Sequence, residues 1–397
     1  MGFGQGLSGL NAASQSLDII GNNISNSGTV GFKGADASFA DIYASSRVGL
    51  GTQVASVNQR FTIGTVKDTG NQFDMAIDGE KGLFRVLDTN GSVLYTRNGE
   101  FHVNKDNEIV NAQGHRLTGY KPGEGNPSPI LVPTGNIEPT ATSQIGLKTN
   151  LDANSPVLDA DDFDPTDGDT FTHSQPVDVY DSLGNAHQLT QYFIKVDESG
   201  GNSEWEVRYT LGDDELTETH TLEFNSAGVL TGGDTASLSI GDIGSGNSPA
   251  DDLEIGIDYG GSTQFGGKFS PSFTQDGATT GEYASLSIDT DGTILARYTN
   301  GENRAMGSIV LADFKNMQGL DPVGGNAWAE TSASGQPTLG VPGSNGLATL
   351  KGQSVEESNV DMSQELVNMI IAQRTYQANA QTIKTQDQIL QTLITLR

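Results

Sequence analysis

The last 37 residues of this chain, 361–397, carry the pattern that most limits what it can fold into. Taken at alternating steps of four and three, the series is Met362, Leu366, Met369, Gln373, Tyr376, Ala380, Ile383, Asp387, Leu390, Ile394. Eight of these ten positions are apolar, at the mean spacing of about 3.5 residues that marks a coiled-coil seam. Asp361 stands where an N-cap belongs, and Gln364 three residues on completes a capping-box pattern. Neither Gly nor Pro interrupts the run. A helix of ~35 residues at ~1.5 Å per residue is ~50 Å long, more than a compact domain usually needs, so its seam requires a partner.

The opposite face is mostly amide and hydroxyl: Gln377, Gln381, Gln386, Gln388, Gln391, Thr382, Thr385, Thr392 and Thr395. An ordinary solvated face carries Glu and Lys. A face packed against copies of itself avoids repeated like charge, whereas amides both donate and accept and so pair with identical neighbours. Docking of this helix on its own domain is the competing reading of the periodicity.

The other end has the same rhythm. Phe3, Leu7, Leu10, Leu17 and Ile24 fall on one seam, with Ser14 and Gly21 as its small members. Two terminal helices that pair form one unit only when the chain ends meet.

At 397 residues the chain is long enough for two to four domains. No apolar run approaches the ~18 residues of a membrane span, and no basic segment followed by an apolar core marks a signal peptide. Gly6 occupies the place where a myristoylation signal needs Ser or Thr. The absence of cysteine excludes disulfides, thiol catalysis and Cys-ligated metals. The net charge of −29 is unevenly spread. Residues 145–282 hold 26 acidic and 4 basic side chains, and the remainder holds 24 and 17. Such a chain lacks the basic face that nucleic acid needs, and its middle reads as a self-repelling, solvent-facing body.

Between the helices everything reads as strand and turn. Residues 83–87 and 93–95 flank Asn90-Gly91, a strong hairpin signal. Far downstream, Leu286 and Ile288 lead into Asp291-Gly292, with Ile294, Ala296 and Tyr298 alternating beyond it. The runs 87–94 and 288–295 echo each other; a shared turn chemistry explains the echo without a true repeat, and the placement of the two stretches suggests one β domain built from two halves. Between them, Trp205, Val207, Tyr209 and Leu211 alternate with polar residues, as do Leu253, Ile255, Ile257 and Tyr259. This pattern predicts an antiparallel sandwich or barrel. The expected fold class is therefore mixed and mainly β, with long terminal helices forming a coiled-coil-like domain and one β domain inserted in another. Its parts are residues 1–27 and 360–397 (assembly helices), 28–70 (loop-rich connector), 71–140 and 276–359 (split β domain) and 141–275 (acidic outer β domain).

Three stretches resemble a known family. Residues 21–33 contain Asn22, Asn23, Ile24, Asn26, Gly31, Phe32 and Lys33 in a run similar to the N-terminal signature of the bacterial flagellar rod and hook proteins. Residues 359–380 resemble the family's C-terminal signature, and residues 179–187 resemble the insert of its hook-forming members. The large acidic insert favours those members over the shorter rod proteins. The resemblance implies a structural subunit, not an enzyme, that polymerises with itself into the hollow, curved joint transmitting torque from rod to filament. It implies contacts with rod protein, hook cap and hook–filament junction proteins, and passage unfolded through the flagellar export apparatus to an extracellular position. A distal rod protein of the same family is the alternative.

Other motifs carry less. Gly4, Gly6 and Gly9 match a dinucleotide fingerprint, but no strand precedes them. Asp159, Asp161, Asp162, Asp164, Asp167 and Asp169 could hold calcium, yet lack the EF-hand spacing. His102, His115, His173, His187 and His220 are scattered with no HExxH pair. No catalytic, cofactor or metal site is therefore expected. Two readings from other classes stay open on the sequence: a secreted, calcium-stabilised β-rich adhesin, and a carbohydrate-active enzyme built on converging carboxylates.

Overall fold

A computed structural model describes residues 2–42, 49–241 and 250–395. The chain divides into two compact units. One comprises residues 1–134, 285–297 and 303–397, and the other residues 135–284 and 298–302.

The first unit contains both helices, α1 (Gly2–Ser25) and α2 (Met362–Thr395). α2 starts where Asp361 caps it. Its Oδ1 accepts from the Ser363 and Gln364 amides at 2.8 and 3.2 Å. The reciprocal half of the expected capping box is missing, because the Gln364 side chain reaches forward to Asn368 Oδ1 at 3.1 Å. That i to i+4 amide pair lies along the helix surface and competes with the backward reach.

After α1, strands Ala35–Ile42 and Gly51–Gln59 form an antiparallel hairpin. The β domain of this unit is closed by strands distant in sequence. Leu83–Leu87 pairs with Leu311–Asp313, Val93–Thr96 with Ala327–Ala329, and Arg116–Tyr120 with Asn303–Ile309. Met75–Asp78 and Val66–Asp68 pair with Thr349–Gly352 and Ser354–Glu356. Leu83, Tyr95, Ala312, Phe314, Leu320 and Trp328 form one of its buried clusters.

The second unit is a two-sheet β body. A five-stranded antiparallel meander runs His173–Tyr180, Ala186–Ser199, Asn202–Leu211, Asp214–Phe224, Leu230–Gly232. A four-stranded sheet is ordered Thr235–Ile240, Leu253–Asp258, Gln144–Lys148, Ser272–Gln275. One cluster, including Ile145, Phe193, Trp205, Tyr209, Ile255 and Tyr259, joins the two sheets. Within it, the Tyr209 and Tyr259 hydroxyls lie 2.9 Å apart and Tyr259 donates to Gln191 Oε1 at 2.7 Å, so no phenol in this group is left unpaired.

The expectation of purely antiparallel pairing is corrected here. Gln144–Lys148 runs parallel to Leu253–Asp258, and Asn150–Asp152 runs parallel to Thr263–Phe265. These strands are separated by most of the unit, so no short hairpin forces them antiparallel.

Seven turns share one construction. At 88–91, 104–107, 111–114, 181–184, 225–228, 289–292 and 298–301, the fourth residue donates to the first residue's carbonyl, and the first donates to the residue after the turn. The fourth residue is Gly, or Asn at 107, always at positive φ. This is a type I turn closed by a residue in the left-handed region. Asn90 is therefore not a turn centre in the left-handed region, and Gly91 alone takes positive φ. The echo between 87–94 and 288–295 is one turn used twice.

Asp181 anchors one of these turns and is fully buried. Burial by itself pushes its carboxyl up. Hydrogen bonds from the Asn185 and His187 side chains and from the Asn185 and Leu183 amides outweigh it and hold the pKa at about 2. A depressed folded-state pKa means that its stabilisation is fully present above the ordinary carboxylate range and is lost as pH falls through about 2. Asp181→Ala should destabilise the second unit by about 2 kcal/mol at neutral pH. The difference from the parent should shrink on acidification through that window. Urea unfolding followed by Trp205 fluorescence measures both.

Candidate assembly surface

The two helices are antiparallel partners. Gly6 of α1 faces Ile383 of α2, Gly9 faces Asn379, and at the far end Asn23 donates to Glu365 Oε1 at 3.3 Å. A Cβ at Gly6 would lie 2.9 Å from Ile383 Cγ1, and one at Gly9 would lie 2.9 Å from the Asn379 amide. The stretch that matched a dinucleotide fingerprint thus provides close helix approach. The inward stripe of α1 is Gly6, Gly9, Ala13, Ile20 and Asn23. That of α2 is Glu365, Ala372, Asn379 and Ile383. Apart from Ile20 and Ile383, both stripes are small or polar.

Most of the predicted apolar seam lies beside this contact. Phe3, Leu7, Met362, Leu366, Tyr376 and Leu390 are exposed, with Leu7 at 55% and Leu366 and Leu390 at 47%. Leu10, Leu17, Ile24, Met369 and Ala380 are half-buried along its flanks, and Ile383 is the seam member that enters the contact, against Gly6. The side chain of Ile394 falls outside the described residues. Within the chain, then, the helices pair, but not seam to seam. A 3.5-residue seam drifts around a straight helix of 3.6 residues per turn, so its two ends cannot face one straight partner.

Sequence reasoning missed Val367, Ile370, Ile371 and Ile389, all more than half exposed. Their signal was a second apolar stripe beside the first, which counting one residue per turn passes over. α2 is also ten residues longer than α1 (34 against 24). With Gly6 opposite Ile383, its last turns run past the start of α1. An open groove of about 650 Å³ lies between α1, the 35–59 hairpin and α2, with Ala12, Ile19, Ile20, Phe39, Ile371 and Ala372 on its walls.

Buried charge holds the helix pair to the rest of the unit. Glu365 is buried in the helix contact and pairs with Arg60 Nη2 at 2.9 Å. Asn23 accepts from the Ala35 amide at 3.0 Å and donates to its carbonyl at 2.9 Å, fixing the hairpin's first residue to α1. A few residues away, Glu356 is almost fully buried between Lys33 (Nζ–Oε1 2.6 Å) and Arg97. Lys33 also donates to the Thr62 carbonyl at 2.6 Å, and Arg97 to the carbonyls of Gly82, Ile77 and Gly79. Burial lowers the Lys33 pKa from its ordinary value, and the Glu356 charge opposes that shift. Gly31, at φ +69, has no room for a side chain, since a Cβ would sit 2.5 Å from the Asn98 amide nitrogen.

The remaining motif residues are local. Asn26 caps the helix end through its donation to the Asn22 carbonyl at 2.9 Å, while the Phe32 amide closes a turn onto Thr29. In the second unit, Asp159, Asp164 and Asp167 use their carboxylates to accept nearby backbone amides within turns.

The close glycine contact has a testable size dependence. Gly9→Ala gains up to about 1 kcal/mol of helix propensity and displaces only the Asn379 side-chain amide, so its net effect should be small. Gly9→Phe should separate the helices. Amide hydrogen exchange across 362–392 would rise only in the second variant.

What this architecture defines is a structural subunit of the axial flagellar type, with its chain ends joined as a helix pair and its middle given over to β units. Family models match both ends of the chain and much of its middle. Residues 5–33 match the flagella basal body rod protein family, and residues 76–150 the flagellar hook protein FlgE/F/G D1 domain. Residues 150–278 match the flagellar basal body protein FlaE D2 domain, and residues 351–396 the flagellar basal body rod FlgEFG protein C-terminal family.

The chain belongs to the flagellar hook protein family and is a structural subunit of the hook. It is 43% identical to the flagellar hook protein FlgE of Salmonella typhimurium and to that of Escherichia coli, with all of each chain covered. It is 31% identical to the FlgE of Borreliella burgdorferi, over 99% of this chain and 98% of that one. The crystal structure of a Helicobacter pylori flagellar hook protein shares the fold at a TM-score of 0.57 and 15% identity, covering 73% of this chain and all of that one. Full-length identity to hook proteins sets aside the distal-rod alternative.

Proposed function

We propose that copies of this chain polymerise through the apolar faces of α1 and α2 into the hollow, curved hook outside the cell. The assembly domain is residues 1–27 and 360–397, and the seam residues Phe3 to Ile24 and Met362 to Ile394 form its buried contacts. The observation that carries this reading is the distribution of apolar side chains on the helices. Mostly small and polar residues make the contact within the chain, while Leu7, Leu366, Val367, Ile370, Ile371 and Leu390 are left in water. Repeated large apolar side chains exposed along a helix, as at Leu366, Val367, Ile370 and Ile371, mark an interaction site, and their position at the chain ends suits an axial contact. The amides of α2 allow like to pack against like. Rod protein at one end, junction protein and cap at the other, and the export apparatus are the further partners this role requires.

Electron microscopy of the purified chain after concentration or salting-out tests the proposal. Regular hollow tubes are the expected product. A folded protein that stays monomeric at every concentration and salt would count against it.

A further inference from the structure

Of the four Asn-Gly pairs in the chain, three are held by hydrogen bonds or packing that disfavour a particular chemical change, and one is open to it. The pairs are Asn90-Gly91, Asn98-Gly99, Asn300-Gly301 and Asn345-Gly346. In any such pair the glycine amide nitrogen can attack the asparagine Cγ. The N–Cγ bond forms, the Cγ–Nδ2 bond breaks, and the nitrogen's proton leaves with the amide as ammonia. Water then opens the resulting succinimide at either carbonyl, to aspartate or to isoaspartate. The reaction needs a nucleophilic nitrogen free of other bonds, a mobile side chain and access to water.

Gly91 and Gly301 each donate that N–H to the first carbonyl of a turn, at 2.9 and 3.1 Å. The side chains of Asn90 and Asn300 are also tethered, to Asp88 and to the Thr279 carbonyl and Glu302 amide. Asn98 has its Oδ1 fixed by the Glu100 amide at 2.8 Å. Gly99 is packed so closely that a Cβ there would lie 1.6 Å from the Met75 carbonyl oxygen. Asn345-Gly346 differs at every point. Both residues are exposed at the centre of a turn closed by Leu347 N–H to Ser344 O at 2.8 Å, and neither the Asn345 side chain nor the Gly346 N–H has a hydrogen-bond partner among the described residues. Asn345 also sits at φ +51. Among the described residues, the other two asparagines at positive φ, Asn107 and Asn326, have their side chains bonded and precede Glu and Ala.

We infer that Asn345 is the site of spontaneous deamidation in the folded subunit. The product carries one more negative charge, and its isoaspartyl form adds a methylene to the main chain within a tight turn of the β domain. The full chain, incubated folded in mildly alkaline buffer, is digested at intervals. Peptide masses and fragmentation that separates aspartate from isoaspartate then report each Asn-Gly site. Asn345 should convert at least about fivefold faster than the other three, the margin that one protecting hydrogen bond supplies. In the urea-unfolded chain the four should convert at similar rates. Conversion of Asn90, Asn98 or Asn300 as fast as Asn345 in the folded chain would overturn the inference, as would the same rate advantage of Asn345 persisting in urea.

Discussion

Replacing Leu390 by Asp should leave the melting of the isolated chain almost unchanged and abolish tube formation. Leu390 is 47% exposed and lies on the part of α2 that runs past the start of α1, so the monomer loses little when it becomes polar. In a polymer that buries this face, the same aspartate is an ion without a partner, at a cost of several kcal/mol per subunit. The cost recurs in every subunit, so assembly fails rather than weakens. Trp205→Ala is the contrasting control. It empties a fully buried site in the second unit and should cost about 3–5 kcal/mol of monomer stability, leaving the helix surface untouched. Thermal unfolding and microscopy on the same preparations compare the two. If Leu390→Asp lowered the melting temperature as far as Trp205→Ala, the end of α2 would be docked in the monomer and the assembly reading of this residue would fail.

Glu356→Gln should cost the first unit about 3–5 kcal/mol. The carboxylate is 1% exposed and faces Lys33 and Arg97, both nearly as buried, and its Oε1 also accepts the Gly64 amide at 2.7 Å. A neutral amide of the same size keeps the packing but leaves two buried cations uncompensated, and that penalty exceeds what the pair contributed when intact. The effect should be confined to one unit, and the two tryptophans make that measurable. Trp328 belongs to a core cluster of the first unit and Trp205 to that of the second. With single-tryptophan variants, denaturant unfolding followed at Trp328 should shift strongly and that at Trp205 should not. Equal shifts at both would mean that Glu356 supports more than the joint between connector and β domain.

Much of the β structure was legible because its causes are local. Alternation at Trp205, Val207 and Tyr209 is a strand with one dry face wherever the chain goes next. The Asx-and-Gly turns at 88–91 and 289–292 are set by a few neighbouring residues and one left-handed glycine. The helices were legible from their period, and the family signatures from residues contiguous in the chain.

Tertiary structure decided what depends on residues far apart. The apolar period marked which face of each helix avoids water, but the helix contact uses Gly6, Gly9, Ala372 and Asn379, whose value is small volume and close approach rather than hydrophobicity. Such a stripe has no hydropathy signal, so the visible seam was assigned the contact that the small stripe makes. Parallel pairing of Gln144–Lys148 with Leu253–Asp258 was likewise unreadable, because no turn between neighbours imposes it. The Lys33–Glu356–Arg97 joint links positions hundreds of residues apart. In the sequence each is one charge among many, and only folding removes the water that makes their pairing necessary.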